Sequence, residues 1–208
     1  PAASADAFVS TFRSTLSFVR DHGRVPARPE GPLIWTLGIG ALGLAWSVTT
    51  VAAYLPAILG QFTDSDTLIG LVLGAEGIFA LLLPLLIGPL SDATRTPMGR
   101  RRPYMAFAVI PMSFTLTLLA FMPNLWATAF IFFSFSLAYY VYEPPYRGLY
   151  PDLISSTSYG RAQGSQHVMR GIALGGALIA GGVFLDVWEP FPFVVAAIIT
   201  LIACALVI

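Results

Sequence analysis

Glu143 and Arg147 stand four residues apart with the acid on the N-terminal side, the spacing that stacks an opposite-charge pair on one face of a helix. Gln166, His167 and Arg170 follow at helical spacing in the next apolar stretch, and Glu76 stands alone in an earlier one between Gly74, Ala75 and Gly77. An ionisable group in such surroundings costs at least a few kcal/mol unless it is paired, wetted or used, so these positions are where chemistry is expected. Carboxyl and imidazole groups held out of bulk water can take up and release protons or cations, and histidine changes charge near neutral pH. A static reading stays open for both places. Glu143, Arg147, Gln166, His167 and Arg170 can brace two helices as an ion-pair network, and Glu76 can be a protonated acid hydrogen-bonded to a neighbour. Aromatic and small polar residues add surfaces that suit a sugar: Trp46, Ser47, Thr49, Thr50 and Tyr54 in one stretch, Tyr139, Tyr140 and Tyr142 in another.

These residues need long apolar elements to position them. Hydrophobic residues make up 56% of the 208 positions and charged residues 11%, where a soluble domain carries roughly a quarter charged. Apolar runs at 33–59, 67–90, 103–122, 125–150, 162–185 and 191–208 approach or exceed the roughly 20 residues that cross a bilayer as a helix. An all-α membrane protein with six transmembrane helices is expected, organised as a segment at 1–30 and a bundle at 31–208. All eleven basic residues are arginine. Arg13, Arg20, Arg24 and Arg28 precede the first run, Arg95, Arg100, Arg101 and Arg102 follow the second, and Arg147, Arg161 and Arg170 surround the fourth turn of the chain. The opposite turns hold Asp64 and Asp66, then Pro123 and Asn124, then Asp186 and Glu189. Arginine retained on one side assigns that side, and both chain ends, to the cytoplasm.

Antiparallel return after the fourth run brings Glu143 and Arg170 to a common depth, roughly 13–15 Å above the cytoplasmic boundary by helical rise. Glu76 falls roughly 12 Å from the outer end of its span. Pro144 and Pro145 are expected to interrupt the fourth helix and free backbone carbonyls. Trp126 and Trp188 fit interface anchors, and Gly171, Gly175, Gly176, Gly181 and Gly182 a close-packing surface. Phe8, Phe12, Leu16 and Val19 recur at three to four residues and predict an amphipathic helix on the inner membrane surface. The single cysteine, Cys204, excludes a disulfide within the chain.

The loop GPLSDATRTPMGRRRP at 88–103 joins the second and third runs. Its pattern, Gly88 and Asp92 followed by Gly99, Arg100 and Arg101, resembles the loop between the second and third helices of the major facilitator superfamily of transporters. The resemblance implies a cytoplasmic latch of Gly88, Asp92, Arg95, Gly99, Arg100, Arg101, Arg102 and Asp152. The six residues between Asp92 and Gly99, and the ending GRRRP, are similar to the branch of the sucrose transporters and the glycoside, pentoside and hexuronide cation symporters. Glu143-Pro-Pro-Tyr-Arg147-Gly-Leu-Tyr-Pro-Asp152-Leu resembles the end of the fourth helix in that branch. Glu143 then matches a cation-binding acid of melibiose permease, and Arg147 and Asp152 match an arginine and an aspartate of the sucrose transporters.

The resemblance implies one six-helix half of a twelve-helix secondary transporter in the plasma or inner membrane. It would carry out cation- or proton-coupled symport of a sugar or glycoside by alternating access. Glu76, Glu143, Arg147, Gln166, His167, Arg170, Tyr54 and Tyr139 are the expected coupling and path residues. Its partners would be membrane lipid, a small solute, a coupling cation and a second six-helix half. The alternative is a non-transporting membrane subunit or assembly factor on the same scaffold. An enzyme is not expected, since no nucleophile with a base, metal-ligand cluster or phosphate-binding glycine loop is evident. No cofactor or nucleic acid is expected either.

Overall fold

A computed structural model describes residues 30–208, without the side chains of Phe184, Asp186 and Val187. The proposed amphipathic segment at 1–29 and the side chain of Asp186 lie outside the described residues. Six α-helices fall on the six apolar runs: α1 (Glu30–Gly60), α2 (Asp66–Ala93), α3 (Arg102–Leu119), α4 (Leu125–Leu153), α5 (Tyr159–Val187) and α6 (Phe191–Ala205). A short 3-10 turn, Ser156–Ser158, joins α4 to α5.

Helix starts follow local chemistry. Ser65 caps α2 by accepting from the Leu68 N–H at 3.3 Å, and Asn124 caps α4 by accepting from the Ala127 N–H at 2.9 Å. Pro103 and Pro192 stand in the first turns of α3 and α6, where a missing N–H costs nothing. Helices α1 to α4 are long and apolar enough to cross a membrane. Helix α6 has 15 residues and α3 stops at Leu119, so both are shorter than their apolar runs suggest. In α3 and α6 the apolar run continues beyond the helix into capping turns, Ala120 donating to Thr117 and Val207 to Cys204.

Packing has an internal symmetry. The most extensive pairings are α1 with α5 and α6, α4 with α2 and α3, and α3 with α6. Exchanging α1, α2 and α3 for α4, α5 and α6 maps this set onto itself, the pattern of two three-helix repeats. The shared core lies among α1, α3, α4 and α6, with Leu37, Leu44, Leu55, Met112, Phe132, Tyr142, Tyr146 and Phe193 essentially closed to solvent. Helix α2 stands at the flank, where only Val72 and Ser91 are buried.

The fourth helix is not broken. It runs through Pro144, Pro145 and Pro151 without interruption. The two tyrosines that flank the Pro144–Pro145 pair anchor it to its neighbours. Tyr142 donates to the Cys204 carbonyl of α6 at 2.9 Å, and Tyr146 donates to the Leu37 carbonyl of α1 at 2.6 Å. Both rings are buried, so α4 is pinned from two sides where it lacks its own N–H donors.

Candidate functional site

Glu76 lies ten residues inside α2, Glu143 ten residues from the end of α4, and Arg170 eleven residues inside α5. At about 1.5 Å per residue Glu143 and Arg170 sit roughly 15–17 Å from the helix ends joined by the Ser156–Ser158 turn, and Glu76 roughly 15 Å from the opposite end of the bundle. Glu143 and Arg170 therefore share a depth, while Glu76 lies nearer the opposite end of the bundle.

On α4, Arg147 donates to a single oxygen of Glu143 from both Nε, at 2.9 Å, and a terminal nitrogen, at 2.6 Å. Glu143 is the more covered partner, 13% exposed against 60% for Arg147. The expected meeting of Glu143 with Arg170 is not formed: the helix-local partner four residues on captures the carboxylate first. Across the α4–α5 groove, Arg147, Tyr150, Gln163, Gln166, His167 and Arg170 line a cavity of about 200 Å³. The expected grouping of Arg147, Gln166, His167 and Arg170 is thus assembled, with Tyr150 and Gln163 added. Both additions follow helical spacing, Tyr150 three residues after Arg147 and Gln163 three before Gln166.

Glu76 accepts a hydrogen bond at 2.9 Å from Tyr140 of α4. It borders a second cavity, about 210 Å³, whose other lining residues include Val48, Val51 and Phe135. Tyr140 meets Tyr139 edge to face at 5.1 Å.

Tyr54 is not aimed at these residues. Its hydroxyl donates to the Ala177 and Leu178 carbonyls of α5 at 3.2 and 3.1 Å, and its ring presses on Gly181. Trp46 similarly covers Gly176, so the two aromatics of α1 act as packing between α1 and α5. Tyr142, Ser47 and Thr50 are buried in the core. Gly171, Gly175 and Gly182 face open space, so only Gly176 and Gly181 of the expected glycine surface are in close contact. Trp126 and Trp188 are exposed near the α3–α4 and α5–α6 turns, with Phe121 5.8 Å from Trp188.

At the opposite end Arg101 bridges α2 and α4, 2.7 Å from Asp92 and 2.8 Å from Asp152, and Arg100 reaches Asp152 at 3.4 Å. The Arg101 side chain is 12% exposed because its guanidinium lies flat on Gly148, which has no Cβ to displace it. Gly148 was not evident as a clamp residue from sequence, since only the tertiary approach of the loop to α4 reveals the contact. Gly99 makes the loop's turn at φ 98°, a conformation favoured for glycine, closed by its N–H donating to Thr96 at 2.9 Å. Arg95 and Arg102 make no ion pair among the described residues, and Gly88 contributes a carbonyl that Ser91 bonds at 2.8 Å. The latch is narrower than its motif: Asp92, Arg100, Arg101 and Asp152 carry the charge contacts.

Long antiparallel apolar helices, a charged clamp at one end and a polar cluster between α4 and α5 define a multi-pass membrane protein of the transporter class. A family model described as the Major Facilitator Superfamily matches residues 36–208, and the chain belongs to that superfamily. No curated protein and no solved structure matches the chain.

Proposed function

We propose that the chain forms a six-helix half of a proton- or cation-coupled symporter for a sugar or glycoside, acting by alternating access with both ends cytoplasmic. The observation that carries this reading is that Glu143 and Arg170 share a depth on adjacent helices, with Glu143 paired to Arg147 and Glu76 held across helices by Tyr140. Three ionisable groups well inside long apolar helices are hard to account for by stability alone, because apolar side chains would fill the same space at lower cost. Glu143 is the proposed coupling carboxyl. Protonation or cation binding there releases Arg147, whose exposed guanidinium already borders the α4–α5 cavity and is then free to bind solute. Tyr139 and Tyr140 supply aromatic and hydroxyl surface beside it. The Arg101 clamp ties α2 to α4 at the cytoplasmic end, so the two helices that carry Glu76 and Glu143 move together.

The test uses vesicles carrying the protein and a panel of neutral sugars, glycosides and sugar acids. Wild-type protein should show solute-driven proton uptake. Glu143→Gln keeps the hydrogen-bond acceptor but removes the charge, and should lower that uptake by about tenfold or more at equal protein level, the effect of losing a charge-assisted contact. Undiminished coupling in the variant would return Glu143 and Arg147 to a static brace.

A further inference from the structure

Charge does not balance around the α4–α5 cavity. Arg147 is neutralised by Glu143, with both of its contacts on one carboxylate oxygen. Asp92 and Asp152 are engaged by Arg100 and Arg101 at the helix ends, and Glu76 is held by Tyr140 on the far side of α4. No carboxylate among the described residues pairs with Arg170. Tyr150, an uncharged phenol, lines the same cavity. A phenol oxygen solvates a guanidinium without cancelling its charge. The cavity wall is otherwise rich in donors, with His167, Gln163 and Gln166 beside Arg170.

From this we infer that the α4–α5 cavity binds the oxyanion of a small organic solute, a carboxylate or a phosphate, with Arg170 as its counter-ion and Gln163 and His167 as flanking donors. The inference rests on the reading of these helices as membrane spans lining a solute path, and it names the substrate class for that path. A planar guanidinium offers paired N–H groups that fit either oxyanion bidentately. An uncharged sugar would leave the charge at mid-depth uncompensated, whereas an acidic sugar or similar organic anion both fills the site and cancels it. A cavity of about 200 Å³ suits the charged end of such a solute. Because Arg147 can exchange Glu143 for the solute, loading of Glu143 and binding of the anion reinforce each other.

Thermal unfolding of the full-length protein in detergent, at constant ionic strength, tests this directly. Glucuronate, glucose 6-phosphate and benzoate would be compared with uncharged glucose and benzyl alcohol. At least one anion should raise the midpoint saturably where its neutral counterpart does not, and the response of glucuronate against glucose 6-phosphate separates carboxylate from phosphate. Arg170→Gln should weaken that anion by about tenfold to a hundredfold, with Arg170→Lys between, as expected for a charge-assisted hydrogen bond. Should Arg170→Gln not fold, Gln163→Leu and His167→Leu replace exposed cavity residues and should each weaken the same anion. Anions acting no better than their neutral counterparts would overturn the inference, as would anion stabilisation that survives in Arg170→Gln. Transport is read separately as uptake of labelled glucuronate and glucose into vesicles. Anion binding without uptake of either solute would uphold the site and sink the transporter reading; glucose uptake without anion binding would do the reverse.

Discussion

A single missing methyl group decides where Arg101 lies. A Cβ on Gly148 would overlap the guanidinium, yet the arginine end is flexible, so steric cost is small and the loss falls on the ion pairs to Asp92 and Asp152. Surface ion pairs contribute about 0–1 kcal/mol each. Gly148→Ala and Arg101→Ala should therefore each lower thermal stability slightly, and the double variant no further than the worse single, because both remove the same contacts. An additive double variant in a melting series would show that the contact is incidental. The arginines were legible in the loop sequence, but which of the four clamps was not. That choice depends on a glycine 47 positions away in the chain, brought close only by the packing of α2 and α3 against α4.

Helix α1 acts as the spine because its small residues let three neighbours approach. A Cβ on Gly43 would stand 2.8 Å from Ala203 Cβ and 3.4 Å from the Thr200 backbone, and the Gly43 carbonyl accepts from Thr200 Oγ1 at 3.1 Å. Backbone on the far side cannot yield, so Gly43→Val should cost about 1–3 kcal/mol through overpacking of α1 against α6. Gly74 faces open space on α2, so Gly74→Ala should be neutral or slightly stabilising through helix propensity. Chemical denaturation in mixed micelles distinguishes the two; equal effects would remove the spine role of α1. Run length and periodicity disclosed six helices and nearly all their ends. They did not disclose that Pro144 and Pro145 leave α4 intact, because the tyrosine bonds that anchor it reach carbonyls of α6 and α1.

For the whole molecule, the sorting of arginine supports our proposal that the 94–101 loop is cytoplasmic and the 120–124 turn lies outside. Cys204 is fully buried, so engineered cysteines can be read in its presence. Pro123→Cys should react with a membrane-impermeant maleimide on intact cells, whereas Met98→Cys, also exposed, should react only after permeabilisation. Labelling of Met98→Cys in intact cells would invert the topology and with it the side from which the Arg101 clamp is reached. The three-plus-three packing symmetry puts Glu143 and Arg170 in one repeat and Glu76 in the other.

What the amino-acid order determined by itself was one-dimensional: which stretches are apolar, how long they run, which turns carry arginine, and which ionisable groups interrupt the runs. Those quantities follow from transfer free energy and helical rise, which depend only on local composition. The facing of each side chain was decided by tertiary structure. Tyr54 and Tyr140 are both aromatic hydroxyls within apolar runs, yet one binds carbonyls of α5 and the other binds Glu76. Their difference is the rotation of each helix about its own axis, and that rotation is set by contacts such as Trp46 on Gly176 and Tyr146 on Gly40, between residues far apart in the chain.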